Sequence, residues 1–418
     1  MEAHFKKGFF EFISAADSEK VHSRTVGWIF SEYCNVFSPE EKNAILNELC
    51  FNEEIIKHDF KTIKKVDVEV KDIDILIEGD DWRIVVENKI KSSQHSNQLL
   101  KYEYITAKTI EDAKKIEEHC YTKNFCLDLT PSMRLDGEKQ PFYIYLSLIE
   151  EEPNGFNYWN PINYFKLHGV IKKHINKKSA VEHTDYSFVE SYLQTICNLS
   201  STADSFIKSP KEFSFVFSEG EKTKSQLLNL RSQENTASWY IKNLQMETLL
   251  QKWFYSNLVK SIYCRGFNFE YSIGETHGTA LLDFFFDEIT IDDKKYTSIL
   301  QFQGDAVKLA LAGNSGSKNL NNSDLAELRS RRKNKFATKL AQSPTFFNES
   351  GYVLLEEDKI ISKIVSDLST PRSLEGFISI RLETQKKHDE FWQLKDNPID
   401  FVIGMIKKAQ CIFKELND

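Results

Sequence analysis

Two carboxylates and a lysine interrupt a pair of β-branched runs: Asp74 in DIDILIE, and Glu87 and Lys89 in WRIVVENK. Burying charge is costly unless the group is paired or binds a metal. Side chains alternate across a strand. Asp72, Asp74, Leu76 and Glu78 therefore share one face of the first run, and Arg83, Val85, Glu87 and Lys89 one face of the second. The intervening GDD reads as a hairpin turn. A tight turn through Gly79 and Asp80 pairs Asp74 with Val85, and a turn two residues longer pairs it with Glu87. Either register puts Asp74, Glu87 and Lys89 on the same side of the sheet. Two carboxylates suit Mg²⁺ or Mn²⁺, which keep several waters and share phosphate oxygens with a substrate. A neighbouring lysine can orient or deprotonate an attacking water, or stabilise charge developing on phosphorus. The chemistry this pattern points to is phosphodiester hydrolysis.

The flanking elements must hold that hairpin. Residues 5–60 carry helical spacing, with Val21, Thr25, Trp28 and Ile29 on one stripe behind a Ser18 cap. Ser38 and Pro39 open a second helix. Residues 62–91 switch to the alternating period of strands. The segment SSQHSNQLLKYEYITAKTIEDAKKI predicts one helix opened by a serine cap, and PFYIYLSLIE predicts a buried strand. Helical segments PINYFKLHGVIKKHI and SFVESYLQTICNL come after it. That order predicts a mixed α/β domain. The Ser-rich stretch 199–214, with Pro210, marks a boundary, giving expected domains of 1–200 and 201–418. The second half has helices, then the strand-like runs FNFEYSIG, TALLDFFFDEITI and YTSILQFQG, then a basic helix, and so predicts a second α+β domain.

The letters around the hairpin carry a resemblance. Asp74, then Glu87 and Lys89 in VVENK, resemble the D…(D/E)xK signature of the PD-(D/E)XK nuclease superfamily, the restriction-endonuclease-like enzymes. VENKIKSSQHSNQLLKYE resembles the IENKI…QL..Y segment of a bacterial branch, and SEKVHSRTVGWIF resembles that branch's E..HS..L..LL helix. PFYIYLSL and NYWNPINYFKL resemble the next segments of that branch, so the similarity covers about the first 200 residues. The resemblance implies a mixed sheet flanked by helices, divalent-metal catalysis, DNA as substrate, endonucleolytic cutting, and restriction or anti-phage defence as a setting. Residue by residue, it implies that Asp74 and Glu87 bind the metal, that Lys89 serves the water or phosphate, and that Glu19 completes the metal site. Gln98 and Tyr102 match a Q-x-x-x-Y helix and, four residues apart, share one helix face. Glu69 matches an acidic position upstream of the aspartate. DIDI and TVGWIF depart from the branch's pattern without removing any of these groups. The resemblance also implies homodimers that cut both strands.

Bulk properties narrow the partners. Formal net charge is −8, so nucleic acid must meet a local basic surface. The run Arg329, Arg331, Arg332, Lys333, Lys335 offers one in the second half. Seven scattered cysteines without a CxxC pair predict reduced thiols in a cytoplasmic protein, and no run approaches the ~20 apolar residues of a membrane span. His22 beside Ser23 lacks the G-x-S-x-G elbow of a hydrolase triad, and no P-loop occurs. The competing reading is a catalytically inactive nuclease-like scaffold that binds nucleic acid or a partner. A mixed reading has the second half sensing an activating ligand or partner.

Overall fold

The computed structural model describes the chain except residues 1–4, 6, 52–57, 61, 91–96, 124, 126, 152, 154, 176–184, 218–235, 277, 292–293, 305, 314–321, 347–362, 366–376, 382–395 and 418, and the side chains of 322–329 and 381. It divides into two compact units, Met1–Lys208 with Gln226–Leu249, and Ser209–Ser225 with Leu250–Asp418.

The first unit opens with α1 (Phe9–Phe12), α2 (Glu19–Phe30) and α3 (Pro39–Cys50). Strands β1 (Lys65–Val70), β2 (Ile73–Glu78) and β3 (Trp82–Lys89) come next, then α4 (Gln98–Thr106), α5 (Ile110–Thr122), β4 (Gln140–Ser147) and β5 (Asn160–Asn163). Helices α6 (Tyr164–Ile175), α7 (Tyr186–Lys208) and α8 (Ala237–Asn243) complete it. The sheet runs in the order β1-β2-β3-β4-β5. The first three strands are antiparallel, while β3/β4 and β4/β5 are parallel. The parallel step needs a crossover, and α4 and α5 supply it.

Two readings of the helices change. The helix expected across residues 92–116 is two helices, because Thr109 caps α5 by accepting from the Asp112 amide. The serine cap expected at its start lies outside the described residues, and the described N-cap is Asn97. Helix α7 runs through Ser200 and Ser201 to Lys208, since Leu199, Thr202, Ala203 and Phe206 are buried and packing overrides the serines. Ser38 does cap α3, in a reciprocal box with Glu41 and with Pro39 at the first helical position.

All eight residues of β3 are buried. The β2/β3 register runs Ile75↔Val86 and Leu76↔Val85 to Glu78↔Arg83. Of the two registers open to the sequence, the longer turn is the one formed. Its Gly79 is required by close approach, because a Cβ there would lie 2.2 Å from the Trp82 indole. Leu76, Val85, Tyr143 and Tyr145 pack with Leu99, Tyr102 and Ile105 of α4 on one face. Helix α2 lies against the other, so closely that a Cβ on Gly27 would meet Val68 at 2.7 Å.

The second unit has α9 (Glu247–Cys264), β6 (Tyr271–Thr276), β7 (Thr279–Ile291), β8 (Lys294–Gln303), β9 (Ala306–Gly313), α10 (Asn322–Gln342), β10 (Phe377–Arg381) and α11 (Pro398–Asn417). Its sheet is antiparallel in the order β10-β9-β8-β7-β6. The expected architecture, a helix-flanked mixed sheet plus a second α+β domain, is what the chain forms. Among the described residues no helix is long and apolar enough to cross a membrane.

Candidate active site

Continuing the β2/β3 register by one residue sets Asp74 opposite Glu87. Asp74 is half-buried and accepts from the Asn88 amide at 2.7 Å. Glu87 has no exposed surface. Lys89 Nζ lies 2.5 Å from Glu87 Oε1, a buried ion pair. Among the described residues, neither Glu87 oxygen accepts a well-directed hydrogen bond. An unsatisfied buried acceptor costs about 1–3 kcal/mol, so the side chain is held where folding alone would not put it.

The charges decide the protonation state. Burial raises the Asp74 carboxyl above its ordinary range, against the Asn88 amide and Lys89. Burial, then the Asp74 charge, pushes Glu87 well up, and Lys89 offsets this only in part. Two buried carboxyls this close retain a proton between them at neutral pH. Burial alone would lower Lys89, but Glu87, Glu19 and Asp74 together hold it above its ordinary value, so it stays an ammonium.

Helix α4 adds a relay. Lys89 Nζ donates to Gln98 Oε1 at 3.4 Å, and Gln98 Nε2 donates to the Tyr102 hydroxyl at 2.5 Å. That hydroxyl donates in turn to the Asp72 carbonyl, two residues before Asp74. Burial and the nearby Glu87 and Asp74 push the phenol up, so it acts as a neutral donor. Tyr102 is wholly buried, and its bonds fix the hairpin turn.

Glu19 comes from the other face of the sheet. It stands in the first turn of α2, and its Oε1 accepts from the Ile90 amide at 2.9 Å, just beyond β3. The structure thus brings Asp74, Glu87, Lys89, Gln98 and Tyr102 together and holds Glu19 at the end of the same strand. Among the described residues, no group of three or more His, Cys, Asp or Glu already converges as a metal cage. The donor set still fits a hard cation: two carboxylates on adjacent strands, with the oxygens of one orphaned. Glu69 faces away from that pair, toward Lys20 and Arg24.

Asn88 and Glu103 are further buried polar groups of the site region that the alternation pattern did not single out. Asn88, between Glu87 and Lys89, points to the α2 face. Its Nδ2 donates to the Glu19 carbonyl and to Ser23 Oγ, both at 3.0 Å, and its Oδ1 accepts from the Tyr164 hydroxyl at 2.6 Å. A polar residue on the inward face of an otherwise apolar strand was the available signal. Glu103 on α4 is also wholly buried, but its oxygens accept from Trp159 Nε1, both Asn157 nitrogens and the Phe156 amide at 2.7–3.1 Å. His22 is fully buried between Tyr192 and the Ala16 carbonyl, and burial pulls it down to about 4. It packs the core and meets no substrate-facing surface.

The basic run in the second unit spreads around α10. Arg331 and Lys335 are exposed and Lys333 is half-buried. Arg332 is buried with its guanidinium 5.8 Å from the Tyr296 ring centroid. The Arg329 side chain lies outside the described residues. In the second sheet Asp283 faces Gln301 and accepts from it at 3.0 Å, a satisfied pair with no second carboxylate beside it.

No curated protein and no solved structure gives a significant match to the chain. A family model does match part of it: residues 7–209 fit the model of the PD-(D/E)XK nuclease superfamily.

Proposed function

We propose that the first unit is a divalent-metal-dependent nuclease that hydrolyses DNA phosphodiesters and cuts within the strand. The observation that carries this reading is Glu87: a carboxyl group with no exposed surface, set against a second carboxylate, Asp74, and ion-paired to Lys89. Asp74 and Glu87 are the groups to hold Mg²⁺ or Mn²⁺, with Glu19 as a third. When bound there, such an ion supplies Lewis-acid stabilisation of the phosphate and acidifies a water.

The chain's own residues do the rest. Lys89 remains cationic, so it does not take a proton from water. It donates to the phosphoryl oxygens as their charge grows. Gln98 orients that ammonium through its amide oxygen. Tyr102 fixes the Asp72 carbonyl and hence the reach of Asp74. DNA rather than RNA, and restriction of foreign DNA as the setting, are assigned from the likeness of the VENKI…QLLKY segment to its bacterial branch.

The test is cleavage of circular and linear plasmid in Mg²⁺, Mn²⁺ and EDTA, beside Glu87→Ala. Metal-dependent nicking or linearisation, lost in the variant, is expected. Cutting that persists in excess EDTA, or in Glu87→Ala, overturns the assignment.

A further inference from the structure

The β1–β2 turn next to Asp74 is built at a cost. Glu69, Lys71 and Asp72 all lie in the left-handed region, with φ of 58°, 51° and 68°, and none is glycine. Such a conformation persists only where the surroundings over-determine it. Lys71 donates to the carbonyls of Met133 and Arg134 at 2.7 and 2.9 Å, and Tyr102 donates to the Asp72 carbonyl.

The two strained carboxylates have one thing in common: each holds cations that flank the site. Glu69 faces Lys20 at 3.6 Å and Arg24 at 3.3 Å. Asp72 faces Lys101 at 2.6 Å. Lys20 and Arg24 are one helical turn apart, directly after Glu19, and their side chains are 75% and 67% exposed. Lys101 precedes Tyr102 on α4. Three cations of this unit therefore adjoin candidate catalytic residues and meet on the turn that leads into Asp74. Each pair has one well-exposed partner, Lys20 and Arg24 on one side and Asp72 on the other, so the pairs are open to exchange with another anion.

We propose that Lys20, Arg24 and Lys101 grip backbone phosphates of the nucleic acid entering the site, and that Glu69 and Asp72 hold these cations in position until phosphates displace them. The occupant rests on the nuclease reading above. The grip itself is tested without catalysis.

The experiment is fluorescence anisotropy of the full chain with a labelled 30-base-pair DNA duplex, and with one of its strands, in EDTA across a salt series. Lys20→Ala/Arg24→Ala should flatten the salt dependence. Two phosphate contacts fewer means that the affinity lost between about 50 and 200 mM salt shrinks roughly tenfold relative to wild type. Glu69→Gln should tighten binding, and the gain should vanish when it is combined with Lys20→Ala/Arg24→Ala. An unchanged salt slope in the double variant overturns the grip, as does failure of both probes to bind wild type. A gain from Glu69→Gln that survives in the triple variant means Glu69 merely repels nucleic acid, and overturns the holding role. Metal-dependent cleavage with an unchanged slope would leave the nuclease reading standing and remove only this one. The expected slopes without cleavage in any metal would do the reverse.

Discussion

Asn88→Ala isolates the joint between β3 and α2. Asn88 is 1% exposed and makes three side-chain hydrogen bonds, to the Glu19 carbonyl, Ser23 and Tyr164. Each is worth about 1 kcal/mol net. Truncation also leaves a small cavity and strands the Tyr164 hydroxyl among buried groups. The expected loss is about 3–4 kcal/mol. For a unit of this size that corresponds to a melting-temperature drop of roughly 8–12 °C. Urea unfolding of wild type and variant in EDTA, followed by tryptophan fluorescence, measures it. A cycle with Ser23→Ala should show coupling of about 1 kcal/mol, because the two side chains share a bond. The loss should also exceed that of Ser23→Ala alone, since Asn88 takes part in three side-chain hydrogen bonds and Ser23 in two. A loss below about 1 kcal/mol, or strict additivity with Ser23→Ala, would show that β3 and α2 are not joined through Asn88.

Two further perturbations bear on the buried carboxylates. Glu87→Gln should abolish cleavage yet raise stability in EDTA by about 1 kcal/mol or more at neutral pH, because burial and the Asp74 charge oppose ionisation of Glu87 by more than Lys89 offsets. The gain should grow as pH rises from 4.5 to about 8, since the unfolded chain ionises Glu87 while the folded chain holds its proton, and added Mg²⁺ should stabilise wild type but not the variant. Glu103→Gln tests a pH dependence away from the metal ligands. Burial outweighs the Trp159, Asn157 and Phe156 donors and pushes Glu103 up to about 7 from 4.5. A raised folded-state value means its contribution is fully present below 4.5 and is lost as pH rises through 7. The stability of wild type relative to Glu103→Gln should therefore fall by about 3 kcal/mol across that window. A flat difference, or one of opposite sign, shows that the four N–H donors prevail and the group is ionised throughout.

The site was legible where short-range rules fix geometry. Strand alternation alone put Asp74, Glu87 and Lys89 on one face, and helical spacing alone put Gln98 above Tyr102. Parity could not choose between the two hairpin registers. The choice rests on Trp82 folding over Gly79, a contact within the turn that composition does not announce. Thr109 and Asp112 carried a capping signal inside an otherwise helical pattern, and that signal, rather than the apolar spacing, set the helix boundary. Asn88 was out of reach, because its partners lie 69, 65 and 76 residues away. Arg332 shows the opposite failure: a charge in a basic run, read as surface, turns inward onto Tyr296.

Burial of a charge is not by itself the mark of a site. Glu87 and Glu103 make the comparison within one unit. Both carboxylates have no exposed surface, and burial raises both. Glu103 is surrounded by nitrogen donors that accept its presence, and it ties residues 156–159 to α4. Glu87 has the Lys89 ammonium at 2.5 Å from one oxygen, a like charge beside it, and no comparable set of N–H donors. A fold selected for stability alone gains by replacing such a group with an apolar one of similar volume. The proposed metal site would account for glutamate at this position. On the nuclease reading a divalent cation would take the place of the proton the pair otherwise shares, neutralise Asp74 and Glu87 together and leave Lys89 free to face a phosphate.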